Sequence, residues 1–162
     1  MKKLFALTVG ILIGGLLAIA LIPKSQPAPT FSLADLNGKT IDNQHLQGKV
    51  TFINFWFPSC PGCVSEMPKV IKMAHDYQGK NFQVLGISQP FDPIESVRNY
   101  TTTRQLPFTV MYDADGAVGK AFGTQVYPTS VLINKQGEIV KTFVGEPNFS
   151  DLYREIDAEL AK

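Results

Sequence analysis

The chain holds two cysteines, Cys60 and Cys63, within the stretch NFWFPSCPGCVSEMP that runs from Asn54 to Pro68. Two thiols at this spacing can close a structural disulfide, share a metal ion, or cycle between dithiol and disulfide. A clip around so short a loop removes little freedom from the unfolded chain, because disulfide stabilisation grows with loop length. A structural metal site wants about four ligands. Beyond the thiols the sequence offers only His45 and His75, neither at finger-like spacing. A metallochaperone that carries copper on the two thiols stays open as the alternative.

The redox couple fits the placement. An apolar run ends just before Cys60 and helical periodicity begins just after it, so the pair sits where a strand hands over to a helix. The positive end of the helix lowers the pKa of a thiol placed there. On this reading Cys60 is the attacking thiolate, and Cys63, one turn in, resolves the mixed disulfide. Pro61 and Gly62 remove a backbone donor and add freedom at the turn. The electrons reside in the Cys60–Cys63 pair, so no bound cofactor is expected.

These residues need a framework to hold them. Val50–Phe57, VTFINFWF, is a near-continuous β-branched and aromatic run, the pattern of a central strand covered on both faces. Val64, Met67, Val70, Ile71, Ala74 and Tyr77 recur at helical spacing, predicting a helix from about Cys60 with Pro68 inside it. Phe82–Ile87 reads as a second buried strand, completing a βαβ unit. Asp92-Pro93-Ile94-Glu95 has the form of a capping box opening a helix to about Arg104. Asp113–Gly116 predicts a turn rather than a calcium loop, whose glycine and terminal glutamate are misplaced. Ala117–Phe122 then reads as a short helix. Pro128–Ile133 and Ile139–Val144 predict a hairpin, and Asp151–Ala161 a closing helix with Ser150 as its cap. Phe31–Val50 suggests a small hairpin before the core.

The chain has 162 residues, 44% of them hydrophobic, which suits one domain of ordinary core once any targeting segment is set aside. Leu4–Ile22 is an uncharged, mostly apolar run behind Lys2 and Lys3, long enough for a membrane-spanning anchor; a cleaved signal peptide is the other reading. Either sends the remainder across a membrane, and the lysines keep the N-terminus cytoplasmic. Residues 23–30, PKSQPAPT, read as a semi-extended spacer, leaving 31–162 as the domain. Without residues 1–22 the formal net charge falls from +1 to −1, so nothing points to nucleic acid.

Trp56, Cys60-Pro61-Gly62-Cys63, Pro68, and Tyr127-Pro128-Thr129 opening a late strand together resemble the thioredoxin fold. The upstream FSLADLNGKTIDNQHLQGKVTFINFWF resembles, more narrowly, the membrane-tethered TlpA/ResA branch of thiol-disulfide oxidoreductases. The resemblance implies an α/β fold with a central mixed β-sheet flanked by helices, an N-terminal β extension and a βα insertion. It implies a cis Pro128 beside the cysteines, with Trp56, Pro61, Gly62, Tyr127 and Pro128 meeting the substrate. It also implies Glu66, three residues after Cys63, near the thiols, where it would accept the proton of the resolving cysteine.

The chain departs from that pattern at three places. Asn54 stands where cytosolic thioredoxins carry a buried aspartate, and Ser59 where a tryptophan is frequent. The loop at Thr124–Ser130 lacks the Gly-x-Pro-Glu motif of cytochrome c maturation thioredoxins. Phe57, three before Cys60, takes the place of the Thr or Ser that a thioredoxin-fold peroxidase wants, leaving that activity as a further alternative. The expected role is reduction of oxidised client proteins outside the cytoplasm, periplasmic in a two-membrane cell, with a membrane thiol reductant as electron donor.

Overall fold

The computed structural model describes residues 26–162, so the Leu4–Ile22 span lies outside the described residues, as does most of the spacer's start. Among the described residues no helix is long and apolar enough to cross a membrane.

The strands are β1 (Gln26–Pro27), β2 (Ser32–Ala34), β3 (Thr40–Asp42), β4 (Val50–Trp56), β5 (Phe82–Ser88), β6 (Thr109–Tyr112), β7 (Thr129–Ile133) and β8 (Glu138–Val144). The helices are α1 (Pro61–Asp76), α2 (Ile94–Arg104), α3 (Ala117–Ala121) and α4 (Phe149–Leu160), with a 3-10 turn at Asn43–Leu46. Six strands form one mixed sheet in the order β1-β8-β7-β4-β5-β6, and β2–β3 is a separate hairpin. β4 pairs parallel with β5 and antiparallel with β7, which makes it central.

Every residue of β4 is buried, Thr51 and Asn54 included, as its near-continuous β-branched and aromatic run predicts. Alternation then divides the core. Phe52 and Trp56 face Met67, Val70 and Met73 of α1 with Leu152 and Ile156 of α4, while Ile53 and Phe55 face Phe31, Ile41 and Leu46 of the N-terminal hairpin region with Val118 of α3. Gly86 in β5 leaves the room that the Trp56 indole and Phe108 occupy, since a Cβ there would stand 3.1–3.2 Å from both.

Three local expectations change. Part of the segment read as a spacer is sheet: Gln26 and Pro27 pair with Ile139 and Glu138, and the Ala28 amide donates to the Gly137 carbonyl at 2.9 Å. Asp92 does not cap α2, whose cap position is Pro93 with no side-chain hydrogen bond. Its carboxylate instead accepts the Ser59 N–H at 2.7 Å, beside Cys60, because the preceding loop is drawn over the active-site turn by the Phe91–Phe57 ring contact. Asn148, not Ser150, caps α4: its side chain accepts the Asp151 N–H at 3.2 Å, and the helix starts early enough for Phe149 to reach the core.

Candidate active site

Cys60 is the N-cap of α1, and its sulfur accepts the Cys63 N–H at 3.1 Å. Pro61 takes the first helical position, where the missing N–H costs nothing and the fixed φ suits the helix. Cys60 and Cys63 form a disulfide with Cα atoms 5.2 Å apart. Both are enclosed, Cys60 at 4% exposure and Cys63 at 1%, so the outer sulfur is the one a partner reaches first.

The segment before β7 folds back onto this turn. The Tyr127–Pro128 peptide is cis, as expected. Pro128 is buried, and a Cβ on Gly62 would lie 3.2 Å from its Cδ, so glycine lets the loop and the cysteine turn approach closely. The Pro128 carbonyl accepts the Gly145 N–H at 2.8 Å, continuing the β7–β8 ladder up to the site. Pro61 and Gly62 are exposed and Tyr127 is half-buried, so these three present surface to a partner.

Trp56 does not present surface. Its side chain is wholly inside, stacked on Tyr100 with centroids 5.0 Å apart and grouped with both cysteines in one core cluster. Of the two readings that the sequence allows for Trp56, a substrate contact or packing beside the motif, its burial fits the second: the residue underpins the motif from within, since successive side chains of β4 alternate faces and both faces are covered.

Glu66 lies on the same helix, at 1% exposure, and neither carboxylate oxygen has a hydrogen-bond partner. Burial pushes its pKa up to about 8; the Glu146 charge adds to the rise, while Lys69 and the nearby Asn54 amide temper it. The Asn54 amide donates to Ser130 Oγ at 2.9 Å and forms no hydrogen bond with either Glu66 oxygen. Lys69 pairs with Glu146 at the surface above. A carboxyl protonated at neutral pH, on the helix that carries both cysteines, can give and take a proton where a carboxylate of ordinary pKa cannot.

Sequence reasoning missed an aromatic group beside the disulfide. Phe57, Phe91 and Tyr127 pack pairwise, both phenylalanines meeting Tyr127 edge to face, with centroids 4.7 Å apart for Phe57–Phe91, 5.5 Å for Phe57–Tyr127 and 5.4 Å for Phe91–Tyr127. Phe91 is 61% exposed. Only the exposure of so large an apolar residue marks it, and exposure is not visible in one sequence. Among the described residues there is no group of three or more His, Cys, Asp or Glu that could hold a metal ion.

The Redoxin family model matches residues 23–156. A thiol-disulfide oxidoreductase ResA of Halalkalibacterium halodurans is 33% identical over 126 residues, covering 78% of this chain and 71% of that protein. The solution structure of a Neisseria meningitidis protein described as a thioredoxin is 70% identical, with a TM-score of 0.80, covering 86% of this chain and 93% of that one. The crystal structure of a Chlorobium tepidum protein described as the thiol:disulfide interchange protein DsbE is 28% identical, with a TM-score of 0.75, covering 86% of this chain and 99% of that one.

Proposed function

The chain belongs to the Redoxin family and is a thiol-disulfide oxidoreductase, and from that premise we propose that it works outside the cytoplasm, reducing disulfides of exported proteins. The observation that carries the reading is the Cys60–Cys63 disulfide at the N-terminus of α1 with the protonatable, buried Glu66 on the same helix. In the reduced state the Cys60 thiolate attacks one sulfur of a client disulfide, forming a mixed disulfide and expelling the client's other sulfur as a thiolate that takes a proton from water. In the fraction of molecules whose Glu66 is ionised at neutral pH, the Cys63 thiol passes its proton to that carboxylate, and the resulting thiolate attacks the Cys60 sulfur, releasing the second client thiolate, which takes a proton from water. The client gains two electrons and the protein is left with its own disulfide. A membrane thiol reductant returns two electrons, and Glu66 gives its proton back to Cys63. The high pKa of Glu66 suits this exchange, because a proton moves most readily between groups of similar pKa.

Supplied with a dithiol donor, the protein is expected to reduce insulin disulfides catalytically, while the reduced form takes up less than one equivalent of copper or zinc. Tight stoichiometric metal binding without insulin reduction would replace this reading with the metallochaperone.

Placement rests on the apolar run Leu4–Ile22 behind Lys2 and Lys3, which would anchor the domain in the cytoplasmic membrane. Protease added to spheroplasts is expected to digest the domain; a fully protected product would overturn the placement.

A further inference from the structure

Behind Tyr127 lies a chain of buried polar groups that the exchange chemistry does not use. It begins at Asp113, fully enclosed at the end of β6, where a carboxylate must be matched by donors. Asp113 Oδ2 accepts the Gly119 N–H at 2.8 Å and the Gln89 side-chain amide at 3.1 Å, and Oδ1 accepts the Val118 N–H at 3.3 Å. An ionised carboxylate only accepts, so it dictates the orientation of the Gln89 amide: NH2 toward Asp113, Oε1 away from it. Gln89 Oε1 then faces the Tyr127 hydroxyl at 3.3 Å.

Thr124 closes the chain. Its hydroxyl donates to the Gly119 carbonyl at 2.9 Å and lies 3.3 Å from the same tyrosine hydroxyl. With the Thr124 hydrogen so committed, both neighbours offer lone pairs, and the single Tyr127 hydrogen is held between them. The packing is tight: a Cβ on Gly119 would fall 2.2 Å from Gln89 Oε1 and 2.9 Å from Thr124 Oγ1, so only glycine admits this arrangement. Gln89 is also fixed by its backbone, whose N–H donates to the Trp56 carbonyl at 2.8 Å at the end of the strand leading to the cysteines.

We infer that Gln89 is a positioning residue for client binding: anchored on Asp113, it holds the Tyr127 side chain and so sets the segment Tyr127–Pro128 that an extended client lies against. The inference rests on the proposed reduction of protein clients and adds to it how the docking edge is held. The client pairs with backbone groups of that edge, as in strand addition, and an edge that shifts loses those bonds. A small disulfide such as oxidised glutathione needs only the cysteine and is indifferent to the edge. Gln89 follows β5 and Asp113 follows β6, so the two strand ends that flank α2 in the chain are tied to Tyr127 through these bonds.

The test is a double-mutant cycle on the full chain with insulin and with oxidised glutathione as substrates. Gln89→Met keeps length and removes both hydrogen bonds. It is expected to raise KM for insulin roughly fivefold, the factor for one hydrogen bond of typical net strength, with kcat and the glutathione exchange rate nearly unchanged. Tyr127→Phe is expected to raise KM for insulin by a similar factor, and the double variant to be no worse than either single one. Additive losses, an equal slowing of glutathione exchange in folded Gln89→Met, or an unchanged KM would overturn the inference. Should Gln89→Met fail to fold, Tyr127→Phe decides alone: an unchanged KM for insulin overturns it. A wild-type protein that exchanges with glutathione but never with insulin would overturn the underlying reading, and the inference with it.

Discussion

Replacing Cys60 by serine abolishes disulfide exchange, by more than about a thousandfold, because the thiolate is the attacking species and a serine hydroxyl is scarcely ionised at neutral pH. The geometry separates the roles of the two cysteines. Cys60 is the cap of α1, its sulfur already receives the Cys63 N–H, and the helix end favours negative charge there. Cys63 is a turn deeper and more enclosed. In the reduced protein Cys60 is therefore alkylated first at neutral pH. Cys63→Ser is expected to keep the first attack and lose the second, accumulating mixed disulfides visible on non-reducing gels. Faster labelling of Cys63, or exchange surviving in Cys60→Ser, would reverse the assignment.

Glu66→Gln is expected to have two effects of opposite benefit. The wild-type carboxyl has a folded pKa of about 8 against a reference value of 4.5, the cause being burial without a hydrogen-bond partner. The folded state thus binds this proton more tightly than the unfolded state, and stability falls as pH rises. This contribution is fully favourable below about pH 4.5, declines between the two pKa values, and levels off above about 8. At pH 7 the loss is on the order of 3 kcal/mol, from the free energy of a pKa unit. Glutamine cannot ionise, so the variant should be more stable than wild type at pH 8, with the slope of stability against pH reduced between pH 5 and 8, as read by chemical denaturation.

Function should move the other way. Without a proton acceptor beside the helix, resolution of mixed disulfides slows, by about 10²-fold if Glu66 supplies ordinary general-base catalysis. The pH dependence of Cys63 titration should change with it. A variant with unchanged resolution and thiol titration but altered stability would make Glu66 a structural residue only.

How far the sequence reaches differs from element to element. Val50–Trp56 was legible because burial on both faces favours a near-continuous run of β-branched and aromatic residues, and α1 because its core face recurs every three to four residues. The cysteine pair and its place at a helix start follow from local spacing, while Glu66 was marked by the family resemblance. Such readings succeed where the physics is local periodicity, and fail at the caps, where Asp92 and Ser150 gave way to Pro93 and Asn148.

Tertiary structure decided the rest. The carboxylate of Asp92 satisfies either the start of its own helix or the Ser59 amide, and its sequence is the same in both cases; the approach of the two loops selects the second. The burial that raises the pKa of Glu66 belongs to everything packed over it, with Glu146 arriving from eighty residues away. The bonds linking Asp113 to Gln89 and Gln89 to Tyr127 join loops far apart in the chain. Each depends on which strand ends lie side by side in the sheet, a long-range pairing that local propensity does not encode.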